Sequence, residues 1–395
     1  MTTPRDSLAA RLPAFPWDSL TAARTRAEQH EGGLVDLSVG TPVDPTPRSV
    51  QRALADASNR PGYPTTVGTP ELQDALLAFV QRHRAAPESL GADGVLPTIG
   101  SKELVAHLPF QLGIGPGDAV AFPHIAYPTY DMGARFVGAP GLPIDIERLA
   151  ESGDAALTGT VGTDGTPGED LIDRVRLLWL NSPSNPTGAV LDVEQMRRLL
   201  AWARSRGILV ASDECYALLP WETDDVPSIL DPRVNGGDLT GLLCVYSLSK
   251  QSNLAGYRAA FVAGDPTLVG ELLAIRKQAG MMLPAPIQAA MTVALADDDA
   301  AEAQRAVYRA RREQLKPAVE AAGGRVDASS AGLYLWTTFA EPAHSSVERM
   351  ADLGILCAPG IFYGGAGENH VRIALTATDE RIAEAVRRLS AASST

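Results

Sequence analysis

Short apolar runs recur along this chain, and helical patterns separate most of them. The runs occupy residues 95–99, 119–122, 177–180, 208–212 and 242–246. Continuous apolar runs of this length are typical of strands that are buried on both faces of a parallel sheet. Because the strands alternate with helices, we expect an α/β fold with a doubly wound, mostly parallel sheet.

The end of the chain has a different pattern. Short runs at 332–336, 354–360 and 371–375 precede a helical stretch near 379–390, which is typical of a small α+β domain. At 395 residues the chain also exceeds what one hydrophobic core usually supports. The expected organisation is an N-terminal arm and small-domain segment (1–47), a large domain that carries the sheet (48–285) and a small C-terminal domain (286–395).

Three local predictions complete this outline. The first strand is expected at 34–40, and residues 141–170, which are rich in Gly, Thr and Asp, as a surface excursion. One long helix is expected from 286 to about 320, kinked or ended early by Pro317. Four arginines of that helix are expected on a solvated face: Arg305, Arg309, Arg311 and Arg312.

Composition excludes several classes of protein. A formal net charge of −13 argues against nucleic acid or an anionic membrane as a partner. The three cysteines are far apart and the six histidines form no paired motif, so neither a disulfide framework nor a metal site is expected. Met1 to Asp6 lacks the apolar segment of a signal peptide, and no apolar run approaches the ~20 residues of a membrane span. We expect a cytoplasmic protein.

Polar groups follow the ends of several predicted strands. Because parallel strands open their carboxyl ends at one edge of a sheet, groups at successive strand ends meet in a pocket. These groups are Gly100 with Ser101, Tyr127, Asn185, Asp213 with Tyr216, and Ser247 with Ser249 and Lys250.

The loop Ser247-Leu248-Ser249-Lys250, with Arg258 eight residues further on, carries the strongest chemical signal. Two hydroxyls and a guanidinium can hold a phosphate while the lysine amine attacks a carbonyl, which indicates a Schiff-base lysine of a pyridoxal phosphate enzyme. Taken alone, the motif fits a surface lysine in a serine-rich turn equally well. The neighbouring strand ends favour the pyridoxal phosphate site.

The remaining groups suit the same cofactor. Asp213 would pair with a protonated pyridine nitrogen, Asn185 and Tyr216 would bond the ring hydroxyl, and Tyr127 would stack on the ring. The phosphate needs several donors, for which we expect Gly100, Ser101, Ser247, Ser249 and Arg258, with Lys102 on the same helix start. Arg372 alternates with apolar residues in a strand, so it would clamp a substrate carboxylate.

Three motifs resemble those of fold-type I, class I/II aminotransferases, which have an aspartate aminotransferase-like fold. They are N-S-P-S-N-P-T-G from Asn181, S-D-E-C-Y from Ser212, and S-L-S-K from Ser247 with Arg258. The spacings, 28 residues from Asn185 to Asp213 and 37 from Asp213 to Lys250, fit as well. Within the family, the stretches F-P-W-D from Phe15 and A-G-M-M-L-P-A-P from Ala279 are most similar to actinobacterial N-succinyl-diaminopimelate aminotransferases.

The resemblance implies roles for individual residues. Lys250 would form the Schiff base and shuttle a proton, with Asp213 and Tyr127 as the other catalytic residues. Gly40, Asn185 and Arg372 would bind the substrate carboxylate. Tyr63 would reach the phosphate of a neighbouring subunit, which implies a homodimer with active sites at the interface.

The implied reaction transfers an amino group between N-succinyl-LL-2,6-diaminopimelate and 2-oxoglutarate in lysine biosynthesis, giving N-succinyl-2-amino-6-oxopimelate and L-glutamate. Alternatives are an aminotransferase with aspartate, aromatic or acetyl-diaminopimelate specificity, a C–S β-lyase, and a cofactor-binding regulator without turnover. The residue for the distal carboxylate of the substrate stays open; the candidates are Lys102, Arg135 and Lys277.

Overall fold

The structure is a computed structural model that describes residues 7–392. Met1 to Asp6, on which the expectation of no signal peptide was based, lie outside the described residues. The strands are β1 (Val35–Asp36), β2 (Val95–Ile99), β3 (Ala119–Pro123), β4 (Gly141–Ile144), β5 (Val175–Asn181), β6 (Leu209–Asp213), β7 (Leu242–Ser247), β8 (Ala259–Gly264), β9 (Arg325–Asp327), β10 (Tyr334–Thr338), β11 (Ile355–Leu356), β12 (Ala358–Pro359) and β13 (Val371–Ala374).

The helices alternate with these strands over most of the chain. They are α1 (Leu8–Arg11), α2 (Thr21–Glu28), α3 (Arg48–Asp56), α4 (Pro70–Arg84), α5 (Ser101–Gln111), α6 (Thr129–Phe136), α7 (Ile146–Ser152), α8 (Gly168–Leu171), α9 (Val193–Arg204), α10 (Pro232–Asn235), α11 (Leu248–Gln251), α12 (Pro266–Ala279), α13 (Ala285–Ala296), α14 (Asp298–Ala321), α15 (Ala343–Asp352) and α16 (Asp379–Ala392).

Seven strands form the large sheet, in the order β2-β8-β7-β6-β5-β3-β4. Strand β8 is antiparallel to both of its neighbours, β2 and β7, so the other six strands all run in one direction. The predicted α/β fold with a mostly parallel sheet is therefore confirmed. The carboxyl ends of β2, β3, β5, β6 and β7 lie at the same edge, where the polar groups were expected to meet.

Helices cover both faces of this sheet. Along β5, Leu177 and Trp179 pack into one apolar cluster with α5, α6 and α12, whereas Leu178 and Leu180 pack into another with α4, α9 and α13. This alternation follows from the two-residue period of a strand. Burial of each such side chain stabilises the fold by about 1.5–3 kcal/mol, so both clusters hold the sheet in place.

Local sequence signals explain where the helices begin. Thr69 caps α4 by accepting the backbone N–H of Leu72 at 3.3 Å, and Pro70 occupies the first helical position. Asp192 and Gln195 form a reciprocal capping box at the start of α9.

The N-terminal segment and the last third of the chain share a separate core. Strands β12, β13, β10 and β9 form an antiparallel sheet, and β1 pairs with β11. Val35 and Leu37 pack there with residues of α14, β10, β13 and α16. Helix α13, by contrast, packs against α3 and α4 in the core of the large sheet. The boundaries at 47/48 and 285/286 stay predictions.

Several local predictions are wrong. Residues 141–144 form the edge strand β4 and not a surface excursion, because Leu142 and Ile144 are buried against the large sheet. The first strand is only Val35–Asp36. The expected single helix is two, since Asp297 ends α13 and caps α14. Pro317 does not end α14, which continues to Ala321.

Two of the four arginines expected to be solvated are buried. Arg311 pairs with Asp44 of the N-terminal arm and with Asp379 at the start of α16. Arg312 pairs with Glu222 and donates to the carbonyl of Ser329 at 3.0 Å. Burial is tolerated because each guanidinium has a carboxylate partner. Of the helices in the described part of the chain, none combines the length and the apolar character that crossing a membrane requires.

Candidate active site

Lys250 lies in helix α11, just beyond the end of β7. Ser247 caps this helix: its hydroxyl accepts the backbone N–H of Ser249 at 3.2 Å and donates to the Ser249 hydroxyl at 2.8 Å. The Lys250 side-chain nitrogen donates to the main-chain carbonyl of Gly40. Burial lowers the pKa of Lys250, and the positive charges of Arg372 and Arg258 lower it further. The neutral amine, which is the nucleophile and the base, is thereby favoured.

Asp213 ends the neighbouring strand β6 as a buried carboxylate. Its oxygens accept the hydroxyl of Tyr130 at 2.9 Å and the backbone N–H of Cys215 at 3.3 Å. Burial raises the pKa of Asp213, and no cation of the described residues forms an ion pair with it. A buried carboxylate in this state is suited to bind a protonated heterocyclic nitrogen.

Arg372 on β13 is 3% exposed and lies beside the same pocket. Its guanidinium donates to the side-chain oxygen of Asn185 at 3.1 Å and to the carbonyl of Ser38 at 2.7 Å. The guanidinium also stands over the rings of Tyr334 and Tyr363, 4.0 and 4.9 Å from their centroids. The Nε atom of Arg372 has no hydrogen-bond partner among the described residues. A donor left in this state is available to a ligand carboxylate.

Gly100 and Arg258 form an anion-binding corner. Gly100 has a φ of +85° before helix α5, and a Cβ at this position would lie 2.2 Å from Nη2 of Arg258. Arg258 is fixed through a hydrogen bond to the carbonyl of Ala255 at 2.9 Å. Ser101 opens α5 and contacts the thiol of Cys215. Backbone N–H groups at this helix start, together with the guanidinium, suit a phosphate.

Of the other predicted residues, Tyr127 lies near Asp213 at the site, whereas Tyr63 and Lys102 are exposed. Tyr127 is half-buried, with its ring 5.9 Å from that of Tyr130, and burial raises its pKa to about 12. Tyr63 is 95% exposed, and the contacts of the described chain do not join it to the site. Lys102 is exposed, and its ammonium lies 5.9 Å from the ring centroid of Phe15.

Of the candidates for the distal carboxylate, Arg135 is already paired with Asp131 at 2.7 Å, and Lys277 is exposed on α12. Sequence reasoning missed two site residues, Tyr130 and Tyr334. A usable signal for Tyr130 is its place just past the end of β3, in the first turn of α6, because groups at the carboxyl ends of parallel strands meet at one edge of the sheet. Nothing local in the sequence indicates that β10 brings Tyr334 beside Arg372.

The fold and the site together define a class: an α/β enzyme that acts on small carboxylate-bearing amines or carbonyls through a buried lysine. A model of the aminotransferase class I and II family matches residues 33–389, and the chain belongs to this family. Enzymes of this family depend on pyridoxal phosphate, which is the cofactor of this protein.

Curated relatives cover nearly the whole chain. A 4-dedimethylamino-4-oxo-anhydrotetracycline transaminase of Streptomyces rimosus is 50% identical over 96% of this chain and 99% of its own. A probable aminotransferase of Mycobacterium tuberculosis is 52% identical over 98% and 87%. An LL-diaminopimelate aminotransferase of Aquifex aeolicus is 33% identical over 96% of both.

Solved structures agree on the fold. An aspartate aminotransferase of Thermus thermophilus, a double mutant, superposes with a TM-score of 0.83 over 99% of this chain and 100% of that one, at 23% identity. A probable N-succinyldiaminopimelate aminotransferase of Thermus thermophilus gives a TM-score of 0.81 at 27% identity, over 96% and 100%. The protein therefore has the aspartate aminotransferase-like fold.

The described residues fit pyridoxal phosphate. Asp213 is a buried carboxylate without a cation, Lys250 is a buried amine with a lowered pKa, and Gly100 leaves room for the Arg258 guanidinium. These groups would meet the ring nitrogen, the aldehyde and the phosphate respectively.

Proposed function

We propose that this aminotransferase interconverts N-succinyl-LL-2,6-diaminopimelate and 2-oxoglutarate with N-succinyl-2-amino-6-oxopimelate and L-glutamate, in the diaminopimelate route to lysine. The observation that carries the proposal is the buried Arg372, whose Nε lacks a partner among the described residues. Both amino acids and both oxo acids present a carboxylate beside the reacting carbon, which this guanidinium would bind. The diaminopimelate names of some relatives support the choice of substrate.

Each residue then has a defined task. Pyridoxal phosphate, when bound, supplies an electron sink that makes the proton on the substrate α-carbon acidic. The Lys250 amine would take this proton and later return it. For this task the amine must be neutral near pH 7, and the lowered pKa of Lys250 supports that. Asp213 would hold the ring nitrogen in its protonated form. Asn185 would orient Arg372, to which it is hydrogen-bonded.

The test is a coupled assay with purified enzyme. Wild type should consume 2-oxoglutarate in proportion to N-succinyl-diaminopimelate, and Lys250→Ala should lose at least about 10³-fold in rate, as expected for loss of a catalytic nucleophile and base. Turnover by Lys250→Ala, or release of pyruvate from a sulfur amino acid without any oxo acid, would contradict the proposal. The second outcome would indicate a β-lyase.

A second candidate is amination of a polycyclic ketone. It is favoured by the name of the Streptomyces rimosus relative at 50% identity. The same assay distinguishes the two candidates. If the second is correct, the enzyme aminates the polycyclic ketone at the expense of an amino donor, and addition of N-succinyl-diaminopimelate leaves the concentration of 2-oxoglutarate unchanged.

We also propose that the enzyme acts in the cytoplasm as a homodimer with domains at 1–47, 48–285 and 286–395. The 95% exposure of Tyr63 supports the dimer, since a tyrosine this exposed is available to the phosphate site of a second subunit. Sedimentation of wild type and of Tyr63→Phe, with the cofactor affinity of each, tests this. A monomer that retains full cofactor affinity would contradict it.

A further inference from the structure

A cavity of about 930 Å³ adjoins the candidate active site. The N-terminal arm forms one wall through Phe15 and Trp17, helix α6 contributes Phe136, and the segment after β12 contributes Ile361 and Tyr363. Tyr127 lines it as well, so the cavity is continuous with the predicted cofactor site. A space of this volume accommodates a molecule of metabolite size.

Large apolar side chains are exposed in this cavity. Phe15 is 56% exposed, Phe136 39%, Val161 52% and Ile361 60%, and all four line it. Single exposed apolar side chains are common on protein surfaces and need no explanation. Several of them around one concave space, by contrast, indicate a binding site. A ligand bound in this cavity would cover part of this apolar surface.

A chain of aromatic contacts connects the cavity with the substrate-carboxylate site. The Arg372 guanidinium stands over the Tyr363 ring, and the Tyr363 ring lies edge-on to Trp17 at 6.5 Å. Trp17 stacks on Phe15 at 5.5 Å, and the ammonium of Lys102 lies over the Phe15 ring. A ligand that follows this chain starts at a guanidinium and ends at an ammonium, so it carries an anionic group at each end.

Two buried donors along this chain lack partners. The indole nitrogen of Trp17 and the hydroxyl of Tyr363 are buried and have no hydrogen-bond partner among the described residues. Both side chains line the cavity, and Tyr363 is 2% exposed. Buried polar groups are nearly always hydrogen-bonded, so these two donors point to a ligand acceptor between the two charged ends.

Lys102 and Arg148 are the Lys and Arg residues that line the cavity, and neither forms an ion pair with a carboxylate of the described residues. The Arg148 guanidinium donates to the carbonyl of Ala155 at 3.0 Å, whereas the Lys102 ammonium contacts the Phe15 ring. Arg135, by contrast, is neutralised by Asp131, and Lys277 does not line the cavity. Of the three residues that the sequence offers for the distal carboxylate of the substrate, only Lys102 both lines the cavity and has no carboxylate partner among the described residues.

We propose that this cavity is the binding site for the acylated end of the substrate, and that it selects an N-acyl amino acid whose acyl chain ends in a carboxylate. Trp17 and Tyr363 donate to the amide carbonyl, Lys102 pairs with the terminal carboxylate, and the apolar wall packs against the methylene groups. The inference rests on the proposed aminotransfer and deepens it, because it distinguishes a succinyl from an acetyl substrate.

The test is equilibrium binding to the holoenzyme with two unreactive probes. N-succinyl-L-2-aminopimelate and N-acetyl-L-2-aminopimelate lack the amino group to be transferred and differ only in the acyl chain. Calorimetry should show about fivefold tighter binding of the succinyl probe by wild type, the upper end for an exposed ion pair. Lys102→Met should abolish this preference, whereas Lys277→Met, a matched change outside the cavity, should keep it.

Trp17→Phe tests the amide contact and should weaken both probes alike, by about fivefold to tenfold, because the side chain stays aromatic and one donor is lost. Equal binding of the two probes by wild type, or a preference that survives Lys102→Met, would overturn the inference, and so would exclusive binding of a flat polycyclic ketone. Failure of the proposed reaction is seen separately, as unchanged 2-oxoglutarate in the turnover assay.

Discussion

The hydroxyl of Tyr334 lies 3.2 Å from the hydroxyl of Tyr216, and both rings are buried beside Arg372. Burial by itself raises the pKa of Tyr334, but the positive charges of Arg372 and Lys250 and the hydrogen bond from Tyr216 lower it overall. The pKa of Tyr216, by contrast, is raised by burial and by the charge of Tyr334. Of the pair, Tyr334 therefore ionises first as the pH rises.

Replacement of Tyr334 by Phe should extend activity to higher pH. A phenolate at Tyr334 would compete with the substrate carboxylate for Arg372, so kcat/KM of wild type should fall as the pH rises through the lowered pKa. The variant lacks this group, so its alkaline limb should move upward, while loss of one hydrogen bond lowers kcat/KM by about threefold to tenfold at neutral pH.

The measurement is kcat/KM from pH 7 to 10. Tyr246→Phe is a suitable control. The Tyr246 hydroxyl is also buried, but it bonds to Gln251 at 2.6 Å, and Tyr246 packs in an apolar cluster of the large sheet. Tyr246→Phe should leave the pH dependence of kcat/KM unchanged. An alkaline limb that is the same in Tyr334→Phe as in wild type would contradict the argument.

Gly100→Ala should weaken binding of pyridoxal phosphate. The residue has a φ of +85°, where a side chain adds about 1–3 kcal/mol of backbone strain. Its Cβ would also lie 2.2 Å from Nη2 of Arg258 and displace a predicted phosphate ligand. We expect an increase of about tenfold or more in the cofactor dissociation constant, since a hydrogen bond to a charged group contributes about 1.5–3 kcal/mol.

Gly113→Ala separates strain from displacement. Gly113 also has a positive φ, +71°, but a Cβ there would meet no atom within 4 Å. This control should lower thermal stability and leave the cofactor dissociation constant, measured by fluorescence titration, at the wild-type value. Equal effects of the two substitutions on cofactor affinity would contradict a role for Arg258.

The extent to which sequence predicts this molecule depends on how local each signal is. The α/β sheet, the cap at Asp192 and the position of Lys250 after β7 follow from patterns within a few residues. Strand β4 was missed because an edge strand at Gly141–Ile144 carries only a short apolar pattern. The burial of Arg311 depends on Asp44, which is 267 residues away in the chain. The approach of Tyr334 to Tyr216 depends on pairing between distant strands.

Arg84 and Glu214 form a buried ion pair next to the site, and its disruption should destabilise the protein strongly. Glu214 follows Asp213 and accepts the Nε of Arg84 at 2.8 Å, the Ser228 hydroxyl at 2.7 Å and the backbone N–H of Ile229 at 2.8 Å. Arg84→Met leaves this carboxylate buried without its cation. We expect a loss of about 3–5 kcal/mol in the free energy of unfolding.

Urea denaturation of the variant provides the measurement. Arg198→Met, which breaks an exposed pair with Glu194, should change the free energy of unfolding by less than about 1 kcal/mol. Combining Arg84→Met with Glu214→Gln removes the unpaired charge and should recover part of the loss. Identical destabilisation by Arg84→Met and Arg198→Met would show that burial of the pair has no energetic consequence.

Lys250→Met should stabilise the cofactor-free protein at neutral pH, by an amount that shrinks as the pH rises. Burial lowers the pKa of Lys250 in the folded state below its ordinary 10.5. Between the lowered pKa and 10.5 the unfolded chain binds the proton that the folded chain has released, so wild-type stability rises with pH across this window. Below the window the full penalty of the buried ammonium remains, about 1.4 kcal/mol for each unit of pKa lowering.

Urea unfolding of wild type and variant at pH 7, 8, 9 and 10, after removal of the cofactor, measures this difference. Lys277→Met serves as a control for loss of one positive charge at an exposed position. The difference between wild type and Lys250→Met should narrow as the pH approaches 10.5. A difference that stays constant over this range would mean that the buried amine keeps its proton, and Lys250 would then lack the neutral form that the proposed proton transfer requires.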